Sequence, residues 1–176
     1  MPQVHVNDIN VYYEITGSGE PLVLIAGLGY GLWMWHKMIP GLAEHFQVIA
    51  FDNRGAGRTD KPDGPYDVHM MAKDTAGLLD ALGLKDLAVM GHSMGGFIAQ
   101  QLALSRPDLV GRLILSATNF GGPRHVPVTA EAMAVIMDRS GDPVDVIKRG
   151  IAVACAPGFS EAHPGIVKEM IAYRLT

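Results

Sequence analysis

The chain has 176 residues, of which 48% are hydrophobic and 18% are charged, and its formal net charge is −4. This length and composition are sufficient for one domain with a sizeable apolar core and an appendage. The negative balance and the lack of a basic run exclude nucleic acid and membrane as expected partners. The single cysteine, Cys155, allows no internal disulfide, which favours a cytoplasmic location. No signal peptide or membrane-spanning run is predicted.

Apolar runs at strand spacing predict six strands. They lie at 4–6, 11–15, 22–26, 47–51, 86–90 and 112–116. The first two alternate between apolar and polar residues and are joined by a predicted turn, which indicates an antiparallel hairpin. The run at 22–26 is apolar throughout, as expected of a strand that is buried on both faces.

Helices are predicted between these strands. Apolar residues at helical spacing predict a helix from 32 to 45. Asp67 is predicted to cap a second helix that ends at Gly83. A third follows Ser93 and runs to about Ser105. Strands that alternate with helices indicate an α/β fold with a doubly wound, mostly parallel sheet.

The pattern changes near residue 120, which predicts two regions, 1–120 and 121–176. Gly121, Gly122 and Pro123 are typical of a linker. Helices without strands are predicted beyond it, at about 129–138, 143–155 and 164–175. The last of these runs directly into Thr176.

The motif around which the chain is organised is Gly91-His92-Ser93-Met94-Gly95, which fits the pattern G-x-S-x-G. It lies between a predicted strand and a predicted helix, where a tight turn leaves no room for side chains at 91 and 95. The N-terminus of the helix favours an anion that forms beside Ser93. We interpret Ser93 as a nucleophile. The alternative is an ordinary strand-to-helix turn with an incidental serine.

A nucleophilic serine also requires N–H donors for the oxyanion that forms on its substrate. The N–H of Met94 lies at the start of the predicted helix. The loop 27–31 contains three glycines and offers the N–H of Leu28. The alternative for this loop is a flexible connection without a chemical role.

The same loop allows a remote alternative, a dinucleotide-binding oxidoreductase. Gly27-Leu28-Gly29 follows a predicted strand, and Asp52 ends the next strand, where an acidic residue would bind a ribose. The fingerprint G-x-G-x-x-G requires a third glycine at position 32, but the residue there is Leu32. We therefore expect no cofactor.

The loop 52–59 carries several charged residues, and we interpret it as a structural turn in which Asp52 pairs with Arg54. His92 is expected to be packed or hydrogen-bonded behind the turn rather than to act as a base. The other histidines are expected near the surface: His5 in the first strand, His36, His45 and His69 in helices, and His125 and His163 beside the C-terminal helices. No histidine pair has metal-ligand spacing, so no metal is expected.

Four segments together resemble the α/β-hydrolase superfamily, most closely its esterase and 3-oxoadipate enol-lactonase-like members. They are Ala26-Gly27-Leu28-Gly29, Trp35, the run Phe51–Asp60 and Gly91–Gly96. The resemblance implies that Ser93 is the nucleophile, that the backbone N–H groups of Leu28 and Met94 form the oxyanion hole, and that 121–176 is part of a helical lid. It implies a small ester or lactone as substrate. Ala26 departs from the family, in which many members have histidine at this position.

A second departure concerns the base. In this family the order along the chain is serine, acid and histidine. No carboxylate occurs at 117–120, where some members place the acid, and no later strand and loop present a histidine. The acid and the histidine are therefore expected to be absent from this chain.

Three interpretations stay open. The chain is a fragment that works with a missing C-terminal part or a second copy, a binding module derived from a hydrolase, or a complete enzyme with an unfamiliar base. Serine at the elbow argues against dehalogenase or epoxide hydrolase members, because the resemblance implies aspartate there.

Overall fold

The structure, a computed structural model, describes residues 2–175. Met1 and Thr176, into which the last predicted helix runs, lie outside the described residues. The chain divides into two compact units, Met1–Gly122 and Pro123–Thr176. Among residues 2–175, no helix is long and apolar enough to cross a membrane.

The first unit is built on a six-stranded sheet. Its strands are β1 (Gln3–Val6), β2 (Ile9–Thr16), β3 (Glu20–Ile25), β4 (Phe46–Phe51), β5 (Leu87–His92) and β6 (Val110–Ser116). Their order is β1-β2-β4-β3-β5-β6. The pairs β1–β2 and β2–β4 are antiparallel, and the other pairs are parallel. The predicted mostly parallel sheet of six strands is confirmed.

The core lies on both faces of the central strands. In β3, Leu22 and Leu24 pack into one apolar cluster, whereas Val23 and Ile25 pack into the other. Successive side chains of a strand point to opposite faces, so an unbroken apolar run supplies both clusters. The predicted burial of this strand on both faces is confirmed.

The helix predicted from 32 to 45 is wrong. The chain forms a 3₁₀ turn at Leu32–Trp35 and then a separate short helix, α1 (Ile39–Leu42). Pro40 is the physical reason, because its ring would clash with a carbonyl of the preceding turn if the helix were continuous. Pro40 is instead accommodated in the first turn of α1, where no N–H is required. His45 consequently lies in a turn.

The two other helices of the first unit are α2 (Val68–Ala81) and α3 (Met94–Ser105). Asp67 caps α2, since its side chain accepts a hydrogen bond of 2.7 Å from the N–H of Met70. Gly83 follows the C-terminus with a φ of +68°, a conformation that terminates helices. Both predicted boundaries of α2 are confirmed, and α3 ends at Ser105 as expected.

The described residues of the second unit form helices joined by loops, without a strand. It contains α4 (Ala130–Met137), α5 (Pro143–Ala154), α6 (Phe159–Ala162) and α7 (Pro164–Arg174). The short α6 is not predicted by the sequence pattern. Ile147 and Ile151 are the buried residues of α5 and lie four positions apart on one face.

Candidate active site

Ser93 lies at the junction between β5 and α3, in a backbone conformation that non-glycine residues rarely adopt. Its φ is 53° and its ψ is −118°. Such a conformation costs of order 1–3 kcal/mol and persists only where neighbouring structure imposes it. One such constraint is a hydrogen bond of 2.9 Å from the N–H of Ser93 to the carbonyl oxygen of Ser116, at the end of β6.

The glycines of the motif allow backbone segments to approach closely. A Cβ atom at Gly91 would collide with the carbonyl group of Gly95, and one at Gly95 would collide with the carbonyl oxygen of Ile25 in β3. Both obstacles are backbone atoms, which cannot move aside as a flexible side chain can. The predicted reason for glycine at 91 and 95 is confirmed.

The loop that follows β3 passes beside the serine. A Cβ atom at Gly27 would lie 3.4 Å from the Cβ of Ser93 and 3.4 Å from the carbonyl oxygen of His92, which is van der Waals contact. Leu28 comes next in this loop and is exposed, with 46% of its surface accessible. Met94 directly follows Ser93 and opens α3, where N–H groups have no acceptor within the helix. The structure thus brings the loop of Leu28 and the helix of Met94 to the same serine.

Two buried side chains at the end of β4 are hydrogen-bonded to this loop. Asn53 donates a hydrogen bond of 3.1 Å from Nδ2 to the carbonyl oxygen of Ala26. Asp52 accepts hydrogen bonds from the N–H of Leu32, at 2.6 Å, and from the N–H of Arg58, at 2.8 Å. These contacts were not predicted from the sequence. The available signal was a polar pair directly after a buried parallel strand, whose loop emerges beside the loop of the neighbouring strand.

The predicted pairing of Asp52 with Arg54 is wrong. The guanidinium of Arg54 forms a bidentate ion pair with Asp74 of α2, at 2.7 and 2.9 Å, and a second pair with Asp8 of the β1–β2 turn. Asp52 instead accepts hydrogen bonds from backbone N–H groups. Both of its oxygens are used and only 3% of its surface is exposed, so it offers no carboxylate to a ribose. This geometry disfavours dinucleotide binding.

His92 does not pair with the adjacent serine. Its Nδ1 lies 3.2 Å from the Oγ of Ser116, and its ring packs edge-on against Trp35, with ring centroids 6.4 Å apart. The prediction that His92 is hydrogen-bonded in the turn is confirmed. Burial lowers the pKa of His92 below its ordinary value of 6.5, because the charged imidazolium loses hydration.

The other histidines lie elsewhere. His5 pairs with Asn10, and His36 interacts with the carbonyl oxygen of Trp33. His45 and His69 are exposed. In the second unit, the ring of His163 packs against that of Phe159. Among the described residues of the first unit, no histidine forms a hydrogen bond with the Oγ of Ser93. Across residues 2–175, no group of three His, Cys, Asp or Glu residues has an arrangement suited to a metal ion.

A mostly parallel sheet whose fifth strand leads through a strained serine of the G-x-S-x-G pattern into a helix defines an α/β protein. Residues 20–139, more than half of the chain, match the family model described as alpha/beta hydrolase fold. The chain belongs to this family.

Known relatives agree with this assignment. The protein named "Putative carbamate hydrolase RutD" of Azorhizobium caulinodans is 44% identical over 115 residues, which cover 65% of this chain and 43% of the relative. A soluble epoxide hydrolase of Corynebacterium sp. is 41% identical over 113 residues, which cover 64% of this chain and 40% of the relative. The chain spans less than half the length of these two proteins.

A solved structure extends the likeness to the second unit. The enol-lactonase from Burkholderia xenovorans LB400 matches 98% of this chain and 67% of its own, with a TM-score of 0.82 and 26% sequence identity. The likeness therefore covers nearly all of the chain.

Proposed function

We propose that this chain carries the nucleophile of a serine hydrolase that cleaves a carboxylic ester or a lactone. The observation that carries the proposal is the strained backbone of Ser93, which lies beside the glycine loop of Leu28 and at the start of α3. Strain of this kind is retained at sites where it presents a reacting group. The likeness to an enol-lactonase supports the same substrate class.

In the proposed reaction, Ser93 Oγ attacks the carbonyl carbon of the substrate, and its proton passes to a base. The N–H groups of Leu28 and Met94 donate hydrogen bonds to the resulting oxyanion. Collapse of the tetrahedral intermediate expels the alcohol, or opens the lactone ring, and leaves an acyl group on Ser93. Water then hydrolyses this acyl-enzyme.

We propose further that the base and its acid partner lie outside residues 2–175. His92 supports this view, because its Nδ1 is paired with Ser116 rather than with Ser93. We also propose that residues 121–176 are part of a helical lid, which the resemblance and the helices of the second unit support.

The test is a substitution of Ser93 in the intact protein. Ser93→Ala should abolish hydrolysis of short p-nitrophenyl esters and labelling by a fluorophosphonate. Ser105→Ala, an exposed serine at the other end of α3, is the matched control and should keep both. Retained esterase activity in Ser93→Ala would refute the proposal. Full activity of residues 1–176 that is lost in His92→Gln would show that the base is in this chain.

The relative named as an epoxide hydrolase suggests a second reaction, the opening of an epoxide. The resemblance implies an aspartate nucleophile for that chemistry, whereas this chain has Ser93 at the elbow. Styrene oxide should therefore remain unchanged under conditions in which the wild-type protein hydrolyses esters.

A further inference from the structure

The loop 27–31 is held at both of its ends by two consecutive residues that directly follow the neighbouring strand β4. Asn53 binds the carbonyl oxygen of Ala26, directly before the loop, and Asp52 binds the N–H of Leu32, directly after it. Both side chains are buried, with 4% and 3% of their surfaces exposed. The loop is thus held from one point, the carboxyl end of β4.

The composition of the loop explains why such anchors matter. Three of its residues are glycines, which lose more conformational entropy on ordering than any other residue. Gly29 has a φ of +72°, and a hydrogen bond of 3.2 Å from the N–H of Tyr30 to the carbonyl oxygen of Gly27 lies within the loop. Local structure alone would leave the N–H of Leu28 free to sample several orientations.

The carboxyl group of Asp52 packs closely against two loops. A Cβ atom at Gly31 or at Gly57 would collide with its carboxyl group, so the backbone of both loops closes around it. Its second oxygen accepts the hydrogen bond from Arg58, which ties the loop after β4 to the loop after β3. The buried carboxyl group therefore joins two loops at the edge of the sheet where Ser93 lies.

We propose that Asp52 and Asn53 are positioning residues that hold the N–H of Leu28 where the oxyanion forms. This inference rests on the proposed function, since it assigns a purpose to the donor of Leu28. Neither residue touches the substrate. Both act through the backbone of the loop, and a displacement of about 1 Å at such a donor can reduce a rate on the order of a hundredfold.

The substitution Asp52→Asn tests the proposal with little change of shape. The amide retains one acceptor oxygen but turns an NH₂ group towards one of the two backbone N–H groups, so one hydrogen bond is lost. Asn53→Ala removes the second anchor. Asp74→Asn is the matched control, because Asp74 is also a buried carboxylate but binds Arg54 and makes no hydrogen bond to the loop.

Three measurements on the intact protein separate positioning from general destabilisation. They are kcat and KM for an activated ester, the inhibition constant of a trifluoromethyl ketone, and the hydrogen exchange of segment 27–32. In the adduct with this ketone, Ser93 Oγ bonds to the carbonyl carbon, its proton passes to the base, and the carbonyl oxygen becomes an oxyanion. The inhibition constant therefore reports the oxyanion hole.

In Asp52→Asn and Asn53→Ala we expect kcat to fall about ten- to a hundredfold at nearly constant KM, with a parallel rise in the inhibition constant. Exchange of segment 27–32 should accelerate. Asp74→Asn should lower thermal stability yet leave these three quantities near their wild-type values.

Unchanged kinetics and inhibition in Asp52→Asn, with wild-type Ser93 still labelled by a fluorophosphonate, would overturn the positioning role alone. An equal effect of Asp74→Asn would also overturn it, because general destabilisation would then explain the loss. Failure of the fluorophosphonate to label wild-type Ser93 would instead refute the proposed function.

Discussion

At the scale of single residues, the site depends on glycines, which have no side chain, as much as on Ser93 itself. Ser93 keeps its strained backbone because glycines at 91 and 95 let β5, α3 and β3 approach it without Cβ atoms. Favourable packing of the surrounding residues offsets the free-energy cost of this conformation. His92 occupies the other side of the turn, against Trp35 and Ser116.

His92 makes the stability of the first unit dependent on pH. Its pKa is lowered in the folded state by burial, so the unfolded chain binds a proton more readily. The free energy of unfolding should therefore fall as the pH falls from about 6.5 towards the pKa of His92 in the folded state. Above about pH 6.5, His92 should not change the free energy of unfolding with pH. Trp35 and Ser116, which contact His92, carry no charge that would offset the effect.

Urea unfolding at pH 7.5, 6.5 and 5.5 measures this dependence. His92→Gln should be less sensitive to pH than the wild type across this range, whereas His69→Gln, an exposed residue of α2, should follow the wild-type slope. The pKa of Asp8 is lowered by its hydrogen bond to Arg54, so Asp8 changes the free energy of unfolding with pH only near and below pH 3.8. Identical slopes for His92→Gln and the wild type would contradict the prediction.

At the scale of secondary-structure elements, a partly buried ion cluster joins three parts of the first unit. Arg54 in the loop after β4 binds Asp74 of α2 and Asp8 of the β1–β2 turn. Asn7 donates a further hydrogen bond of 2.7 Å to Asp74. A guanidinium with 3% of its side chain exposed requires such partners, because burial without them would remove its hydration.

The two carboxylates of this cluster should differ in their contribution to stability. Asp74→Ala should lower the free energy of unfolding by about 3–5 kcal/mol, because it leaves Arg54 buried without its buried partner. Asp8→Ala should have a smaller effect, since this side chain is 66% exposed and solvent screens its charge. Urea unfolding measures both, and 1 M NaCl should reduce only the effect of Asp8→Ala. Equal losses in the two variants would contradict this assignment.

At the scale of the whole molecule, β6 is an edge strand among the described residues and pairs only with β5. Its central residues, Leu113, Ile114 and Leu115, are 39%, 44% and 45% exposed. Consecutive residues of a strand face opposite sides of the sheet, so both faces of β6 are partly exposed. An apolar strand with an open edge is a template for pairing with another chain.

Residues 1–176 expressed alone should therefore self-associate at micromolar concentration in sedimentation velocity. Ile114→Lys should shift the protein towards the monomer, because a charge on an edge strand discourages pairing. Leu104→Lys, a change at a 79% exposed residue of α3, should leave the association intact. A monomeric wild-type chain at this concentration would refute the prediction.

Much of the fold could be predicted because its signals are local. The apolar run of β3, the Asp67 cap of α2 and the G-x-S-x-G turn each lie within a few residues of the structure they specify. The helix predicted from 32 to 45 failed although a local signal existed, since Pro40 breaks the helical pattern. Periodicity alone was a weaker guide there than the restriction imposed by proline.

The sequence by itself determined the α/β class, the positions of the six strands along the chain, and the serine at the turn after β5. Only the tertiary structure decided which groups the charged residues pair with. Arg54 meets residues 46 and 20 positions away, and Asp52 meets an N–H group 20 positions away. For Asp52 the physical reason is that β4 lies beside β3 in the parallel sheet, so the loops that follow these strands emerge at the same end of the sheet and bring Asp52 within hydrogen-bonding distance of Leu32.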